Sequence, residues 1–175
     1  MLSFARYTDG RHQRLMKTCN SALLSALITW ALPALPLAAA NSPITLCRGE
    51  ERVIFSCPIA GPGKVISLCA SPTIDTKRGY LQYRFGKSGA VELQFPQARA
   101  NTQLAFRYAH YFRAQVDRTE VSFDNQDYRY VIFDYFEGDV KPTIRETGVR
   151  VNRHGGNNHE QEFKCTGTPL SKLGF

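Results

Sequence analysis

Apolar and polar positions alternate along much of the chain, and one stretch shows this most regularly. Every second residue is large and apolar from Leu81 to Phe85, and again from Val91 to Phe95. This period of two predicts two strands that each bury one face. A three-residue loop, 87–89, keeps both apolar sets on the same face by pairing Phe85 with Val91. Glycine at the third loop position suits the left-handed backbone of such loops, so the stretch predicts an antiparallel hairpin.

The same alternation recurs in short segments separated by turn-forming residues. No internal repeat and no clear amphipathic helix interrupts them. Together they are typical of an all-β fold, either an antiparallel β-barrel or a β-sandwich of about eight strands. Besides the hairpin, strands are predicted at residues 51–57, 64–70, 103–116, 120–124, 127–136, 142–152 and 160–166.

Two of these segments carry finer predictions. A turn at 125–126 places Phe123 opposite Tyr128 in a second hairpin. The segment 103–116 is rich in aromatic residues, which favours a strand over a helix. Within it, His110 lies on the parity predicted to be buried. A core histidine with a hydrogen bond is therefore favoured over a catalytic base.

The N-terminus has the features of an export signal. A basic segment precedes a short apolar run that contains two prolines, and three alanines ending at Ala40 follow. This order predicts a Sec signal peptide over residues 1–40, with translation starting at either Met1 or Met16. The run is too short and interrupted for a membrane span. Residues 41–175 are then a single exported β-domain, located in the periplasm or secreted.

Removal of the leader changes the charge. The whole chain carries a net +7, and the leader contributes four basic residues and Asp9, so the mature domain carries +4. That is a mild excess, which does not indicate a specific nucleic-acid partner.

Four cysteines remain in the mature domain: Cys47, Cys57, Cys69 and Cys165. An even number in an exported chain predicts two disulfides. Of the three possible pairings we favour Cys47–Cys165, which would tie the termini together, with Cys57–Cys69 joining neighbouring strands. A zinc site is the alternative, but it is disfavoured because the chain has no closely spaced CxxC pair.

Several short stretches carry a recognisable pattern. They are Cys47, Glu51, 55–57 (Phe-Ser-Cys), Lys64, 67–71 (Ser-Leu-Cys-Ala-Ser) and 79–86 (Gly-Tyr-Leu-Gln-Tyr-Arg-Phe-Gly). This pattern resembles a group of uncharacterised exported β-proteins of Gram-negative bacteria, closely over residues 47–96 and more loosely to residue 151. The resemblance implies a bacterial origin and a periplasmic or extracellular location. It implies no activity and no site residues.

The predicted architecture is also similar, in outline, to the small periplasmic inhibitors of C-type lysozyme. Their Ser-Gly-x-x-Tyr loop and Trp-x-Lys-Gly stretch are not found here, and the single tryptophan, Trp30, lies in the leader. A domain with a net positive charge would also gain no electrostatic steering toward a basic lysozyme. No residue roles are transferred from that family.

A basic-aromatic face is the best candidate for binding. We define it by Arg84, Arg107, Tyr111, Arg113 and Arg129, which are predicted to lie on strands. Arginine beside aromatic rings suits phosphate, carboxylate or the acidic surface of a partner. The alternative is a solvated face on which the arginines pair with neighbouring carboxylates.

The loop 154–159 is the most site-like loop. His154 and His159 flank glycines and asparagines and could hold a metal or an anion. A solvated loop is favoured, because metal sites need three or four convergent ligands. No metal and no cofactor is therefore predicted. No serine lies in a Gly-x-Ser-x-Gly turn, which leaves no recognisable nucleophile.

These observations favour a non-enzymatic exported domain that binds an anionic ligand or an envelope or protein partner. Inhibitor, accessory protein and small-ligand carrier are all compatible with that class. Two alternatives stay open. One is a cell-wall or polysaccharide hydrolase with His110, His154 or His159 as its base, and the other is a structural module of an envelope assembly.

Overall fold

The described part of the chain forms ten β-strands in two antiparallel sheets of five strands each. A computed structural model describes residues 44–75, 77–155 and 160–174. The strand order is β10-β1-β2-β3-β4 in the first sheet and β5-β6-β7-β8-β9 in the second. The strands are β1 Arg52–Pro58, β2 Val65–Ala70, β3 Leu81–Lys87, β4 Ala90–Phe95, β5 Arg107–Arg113, β6 Val116–Asn125, β7 Tyr128–Glu137, β8 Ile144–Arg153, β9 Gln161–Lys164 and β10 Leu170–Ser171.

The predicted all-β fold is confirmed, and its two separate antiparallel sheets fit the sandwich form of the prediction. The sheets do not close into one barrel. One apolar core takes side chains from both of them. Among the described residues the only helical element is a 3₁₀ turn at Gln103–Ala105, where the sequence predicted the beginning of a long strand.

Aromatic rings hold the middle of the core. Phe123 of the second sheet stacks on Phe95 and Tyr130, with ring centroids 4.6 and 4.8 Å apart. Tyr83 of the first sheet packs 5.0 Å from the same ring. Such pairs add to the free energy gained from burying the rings themselves, so Phe123 joins the two sheets through its contacts with Phe95 and Tyr83.

The predicted registers of both hairpins are wrong. Most of the predicted buried faces are right, but Val91, which was predicted to be buried with Leu93 and Phe95, is exposed and lies opposite Gly86. In the first, the loop has only two residues, 88 and 89, and Phe85 lies opposite Leu93 rather than Val91. A β-bulge beside Gly86 takes up the one-residue shift that would otherwise turn the apolar set outward. Gly86 allows this because a Cβ there would lie 2.5 Å from the Ala90 carbonyl oxygen.

In the second hairpin the loop is Gln126-Asp127. Phe123 therefore lies opposite Tyr130 and not Tyr128. The shift is two residues, so each side chain keeps its predicted face. Gln126 takes a positive φ of 53°, a backbone conformation that the residue type did not predict.

Both disulfide pairings favoured from the sequence are wrong. Cys47 is bonded to Cys69 and Cys57 to Cys165, with Cα atoms 5.4 and 5.5 Å apart. Cys57 and Cys69 sit at opposite ends of the β1–β2 pair, since Cys57 lies opposite Ile66 while Cys69 lies opposite Val53. The disulfides indicate an oxidising compartment outside the cytoplasm. None of the described helical segments is long and apolar enough to cross a membrane.

β5 is the main exception to the predicted burial. All seven of its residues are exposed, including His110, which was predicted to lie in the core. Tyr108 and Phe112 keep 56% and 73% of their surface in solvent. β5 is an edge strand of its sheet, and neither of its faces is covered, so the alternation in its sequence does not correspond to a buried face.

Candidate functional site

Four of the five residues predicted for the basic-aromatic face share one surface. Arg107, Tyr111 and Arg113 have the same parity on β5, and Arg129 on β7 shares it through the ladder of β6. This is the outer face of the second sheet, opposite the core. Arg84 does not belong to it.

Arg84 is a buried structural residue, contrary to the prediction. Its side chain is fully buried and donates two hydrogen bonds to Glu51, at 2.6 and 2.8 Å, and one to the Leu46 carbonyl. The segment 44–51 covers the outer face of the first sheet here, and Ser67 anchors it by accepting a bond from the Leu46 N–H. The alternation in β3 marked Arg84 as outward, but it could not show that another segment covers that side.

The network sets the protonation of Glu51. Burial of the carboxyl works to raise its pKa, but hydrogen bonds from Arg84, the Arg48 backbone N–H and the Tyr80 hydroxyl lower the pKa to about 2. The carboxylate therefore stays charged in the folded protein and holds the guanidinium in place.

Carboxylates already hold four arginines of the outer face, whereas Arg129 donates a hydrogen bond to the Ser122 hydroxyl, at 3.4 Å. Arg107 contacts Asp124 and Arg113 contacts Asp139, each at 2.6 Å. Further along the same face, Arg118 pairs with Glu137 and Arg150 with Glu120. The structure thus shows four arginines of this face paired with neighbouring carboxylates, which was the alternative to a binding face. The face offers exposed guanidinium groups but no concentrated positive charge.

The histidine loop does not assemble a metal site within the described residues. His154 is half exposed, and its Nε2 lies 3.3 Å from Asp124 Oδ1. His159 lies outside the described residues. A hydrogen bond from Arg107, with the nearby charges of Arg129 and His154, lowers the pKa of Asp124 against the effect of desolvation. The guanidinium groups of Arg107 and Arg129 would repel a metal ion from that carboxylate.

Among the described residues, the His110 side chain makes one hydrogen bond, between its Nε2 and Asp117 Oδ1 at 3.0 Å. In the described part of the chain it hydrogen-bonds no serine, threonine or cysteine side chain. The only described cluster of three metal-type ligands is Cys47, Glu51 and Cys69, and the disulfide uses both of its sulfurs. His110 and Asp117 thus form an exposed pair without a nucleophile.

Among the pockets that described residues of both sheets line, two have mainly apolar linings. One, of about 410 Å³, is lined by aromatic rings and carries Glu92 and Gln161 as its polar residues apart from tyrosines. The other, of about 460 Å³, is lined mainly by apolar side chains, including Ile54, Leu81, Phe106, Val121 and Leu173. Both sheets contribute to each pocket.

Three basic residues line the second pocket, which we call the cationic-rimmed pocket, and no described carboxylate lines it. They are Arg52 on β1, Lys172 just after β10 and Arg107 on β5, whose side chain is paired with Asp124 on the outer face. In the described structure Arg52 and Lys172 form no ion pair, whereas Arg107 is shared with Asp124. Gln103 also lines it, and its side-chain oxygen is buried without a hydrogen-bond partner.

Sequence reasoning singled out Arg107 here but missed Arg52 and Lys172. Arg52 and Lys172 lie 120 positions apart in the chain. They line the same pocket because the Lys172 N–H donates a hydrogen bond to the Ile54 carbonyl, which places β10 beside β1. β10 has only two residues and left no readable alternation.

Comparison with protein-family models, curated proteins and solved structures finds no match to this chain.

Proposed function

We propose that this protein is an exported, non-enzymatic binding domain that takes an anionic amphiphile into the cationic-rimmed pocket. The observation that carries the proposal is an apolar inter-sheet pocket whose charged lining residues are all cations. Export to the periplasm or the cell exterior, after removal of residues 1–40, belongs to the same proposal.

The size and chemistry of the pocket support a ligand with an apolar body. Its volume of about 460 Å³ falls within the range typical of small-molecule sites. Each methylene group transferred from water to such a lining contributes roughly 0.8 kcal/mol. A hydrocarbon chain of medium length would therefore be held chiefly by the side chains of both sheets.

The cations support an anionic head group. Arg52 and Lys172 are exposed, so a carboxylate or phosphate can reach them without their leaving water. Guanidinium and ammonium groups bond such heads with short, charge-assisted hydrogen bonds. Arg107 is already held by Asp124 and would add a weaker attraction.

The test compares two ligands that differ only in the head group. Binding of dodecanoate and of dodecanol to the mature protein is measured by calorimetry at low salt. We expect dodecanoate to bind at least about tenfold more tightly, a difference of roughly 1.4 kcal/mol. The double variant Arg52→Glu/Lys172→Glu should bring dodecanoate down to the level of dodecanol.

A matched control separates a local effect from net charge. Lys87 and Lys141 are exposed and lie outside the pocket lining, so Lys87→Glu/Lys141→Glu makes the same change in net charge. It should leave dodecanoate binding unchanged within about twofold. Equal loss in both double variants, or equal binding of the two ligands to the unaltered protein, would refute the proposed site.

A further inference from the structure

We propose that β5 receives an extended segment of a partner protein as an added antiparallel strand, and that this segment carries acidic residues at its two ends. The inference concerns a second surface and does not depend on a ligand in the cationic-rimmed pocket. It rests on the exposure of β5, on the direction of its backbone groups and on the charges at its ends.

β5 is the least protected of the four sheet edges. It has seven residues, all exposed, and no proline. The other edges are shielded in ways that natural sheets commonly use. β10 has two residues, β9 has four and carries alternating charges, and β4 holds Glu92 against Lys64 and is followed by a proline.

The hairpin loop fixes which backbone groups of β5 face outward. Arg113 and Val116 are paired across a loop of only two residues. A loop this short permits only the hydrogen-bonded kind of pair at its base, and the two kinds alternate along the strand. Arg107, Ala109, Tyr111 and Arg113 therefore bond to β6. The N–H and C=O groups of Tyr108, His110 and Phe112 point to the open edge, where no described strand lies.

The side chains of β5 specify the chemistry of the incoming strand. Arg107 and Arg113 stand at its two ends, with 64% and 51% of their side-chain surface exposed. Arg107 uses one of its five N–H donors on Asp124, and Arg113 uses two, so each can bond a second carboxylate. Opposite charges directly across a strand pair stabilise the pair. Apolar residues of the incoming strand opposite Tyr108 and Phe112 would stabilise it as well, because aromatic–apolar pairs are favourable.

The same residues disfavour a second copy of this chain as the occupant. Antiparallel pairing of β5 with β5 over its full length centres on His110 and places Arg107 opposite Arg113 at both ends. Like charges directly opposite destabilise a strand pair. A foreign strand with acidic first and seventh residues and apolar second and sixth residues fits instead.

A peptide of that pattern, Glu-Val-Thr-Thr-Thr-Val-Glu with blocked ends, tests the proposal, and the same peptide with lysine at both ends is its matched control. Binding is measured by fluorescence anisotropy at low salt. We expect the acidic peptide to bind at least about tenfold more tightly than the lysine peptide. N-methylation of its fourth residue, whose N–H faces His110, should abolish binding, whereas N-methylation of the third residue, whose N–H faces away, should not.

Two protein variants complete the test. His110→Pro removes an outward N–H without removing a bond to β6, and His110→Ala removes only the side chain. Thermal unfolding verifies that both are folded. The proline variant should lose binding at least about tenfold relative to the alanine variant, while Arg52→Glu/Lys172→Glu should retain binding of the peptide.

Equal affinity for acidic and lysine peptides, or equal loss on N-methylation at the third and fourth residues, would overturn strand addition. Self-association of the protein that His110→Pro abolishes would assign the edge to a second copy instead, and would also overturn the proposal. The N-methylated peptides decide the matter even if the proline variant does not fold.

Discussion

At the scale of single residues, the most consequential contact is the one between Glu51 and Arg84. The side chains are 5% and 0% exposed, so neither charge can be hydrated if the other is lost. Breaking a buried pair on one side usually costs several kcal/mol, far more than an exposed pair such as Arg113–Asp139 contributes. The residues that looked like a binding site in the sequence thus include one that holds the fold together.

This contact predicts a specific pH dependence of stability. The pKa of Glu51 is about 2 in the folded protein, against an ordinary value of 4.5. A carboxyl with a lowered folded-state pKa stabilises the fold above its unfolded value, and that contribution disappears as the pH falls through the folded value. The free energy of unfolding should therefore decline between about pH 4.5 and 2. The contribution of Glu51 to the slope of that decline corresponds to the uptake of at most one proton on unfolding.

Urea unfolding at a series of pH values tests the prediction with Glu51→Gln. The glutamine variant should be less stable at pH 6 and should show a shallower slope below pH 4.5. Glu162→Gln on the exposed strand β9 is the control and should follow the unaltered protein. Parallel pH profiles for all three proteins would contradict the assigned role of Glu51.

At the scale of elements, the attachment of β9 depends on a glycine in β8. Gly148 lies opposite Lys164 in the β8–β9 pair. A Cβ at this position would overlap the carbonyl oxygen of Phe163 and lie 3.0 Å from the Phe133 ring. Backbone cannot move aside as a flexible side chain can, so β9 is held close to β8 only because residue 148 has no side chain.

Gly148→Ala should therefore destabilise the domain by about 1–3 kcal/mol, the usual cost of forcing an extra group into a packed site. Gly167→Ala is the matched control, because its Cβ would make only an ordinary contact, 3.7 Å from Pro58. Urea unfolding gives the free energies, and hydrogen exchange should show faster exchange in β9 in the first variant alone. If Gly148→Ala changed neither the free energy of unfolding nor the hydrogen exchange of β9, then β9 would not be paired with β8 in this register.

At the scale of the whole molecule, one disulfide joins the two sheets. Cys57 of β1 is bonded to Cys165, just after β9, and a bridge between Ile59 and Cys165 continues the contact. This bond closes a separation of 108 positions, whereas Cys47–Cys69 closes only 22. Longer closed loops restrict the unfolded chain more strongly.

Removing the inter-sheet disulfide with Cys57→Ala/Cys165→Ala should cost roughly 5 kcal/mol, and Cys47→Ala/Cys69→Ala roughly 3 kcal/mol, by the loop-length relation. Equilibrium unfolding of the two double variants measures the difference. Peptide mapping under non-reducing conditions provides the check on pairing. Recovery of a peptide linking Cys57 to Cys69 would contradict the structure.

Much of the secondary structure could be predicted because it depends on local patterns. Alternation identified every strand except the two-residue β10, and it placed Tyr83 and Phe123 on buried faces as observed. It failed for β5, since the same alternation occurs whether a neighbouring layer covers a strand or not. Hairpin registers failed for a related reason, because a bulge at Gly86 in the first hairpin and the position of the loop at Gln126-Asp127 in the second change the pairing without changing the pattern.

By itself, the amino-acid sequence determined the all-β class, the number of disulfides and the polarity of most strand faces, because these follow from neighbours along the chain. Only the tertiary structure decided the cysteine pairing, the burial of Arg84, the exposed edge at β5 and the meeting of Arg52 with Lys172. Each of these depends on which distant segment lies alongside. The physical reason is that burial and pairing are properties of the space between elements, and local alternation does not encode which elements share that space.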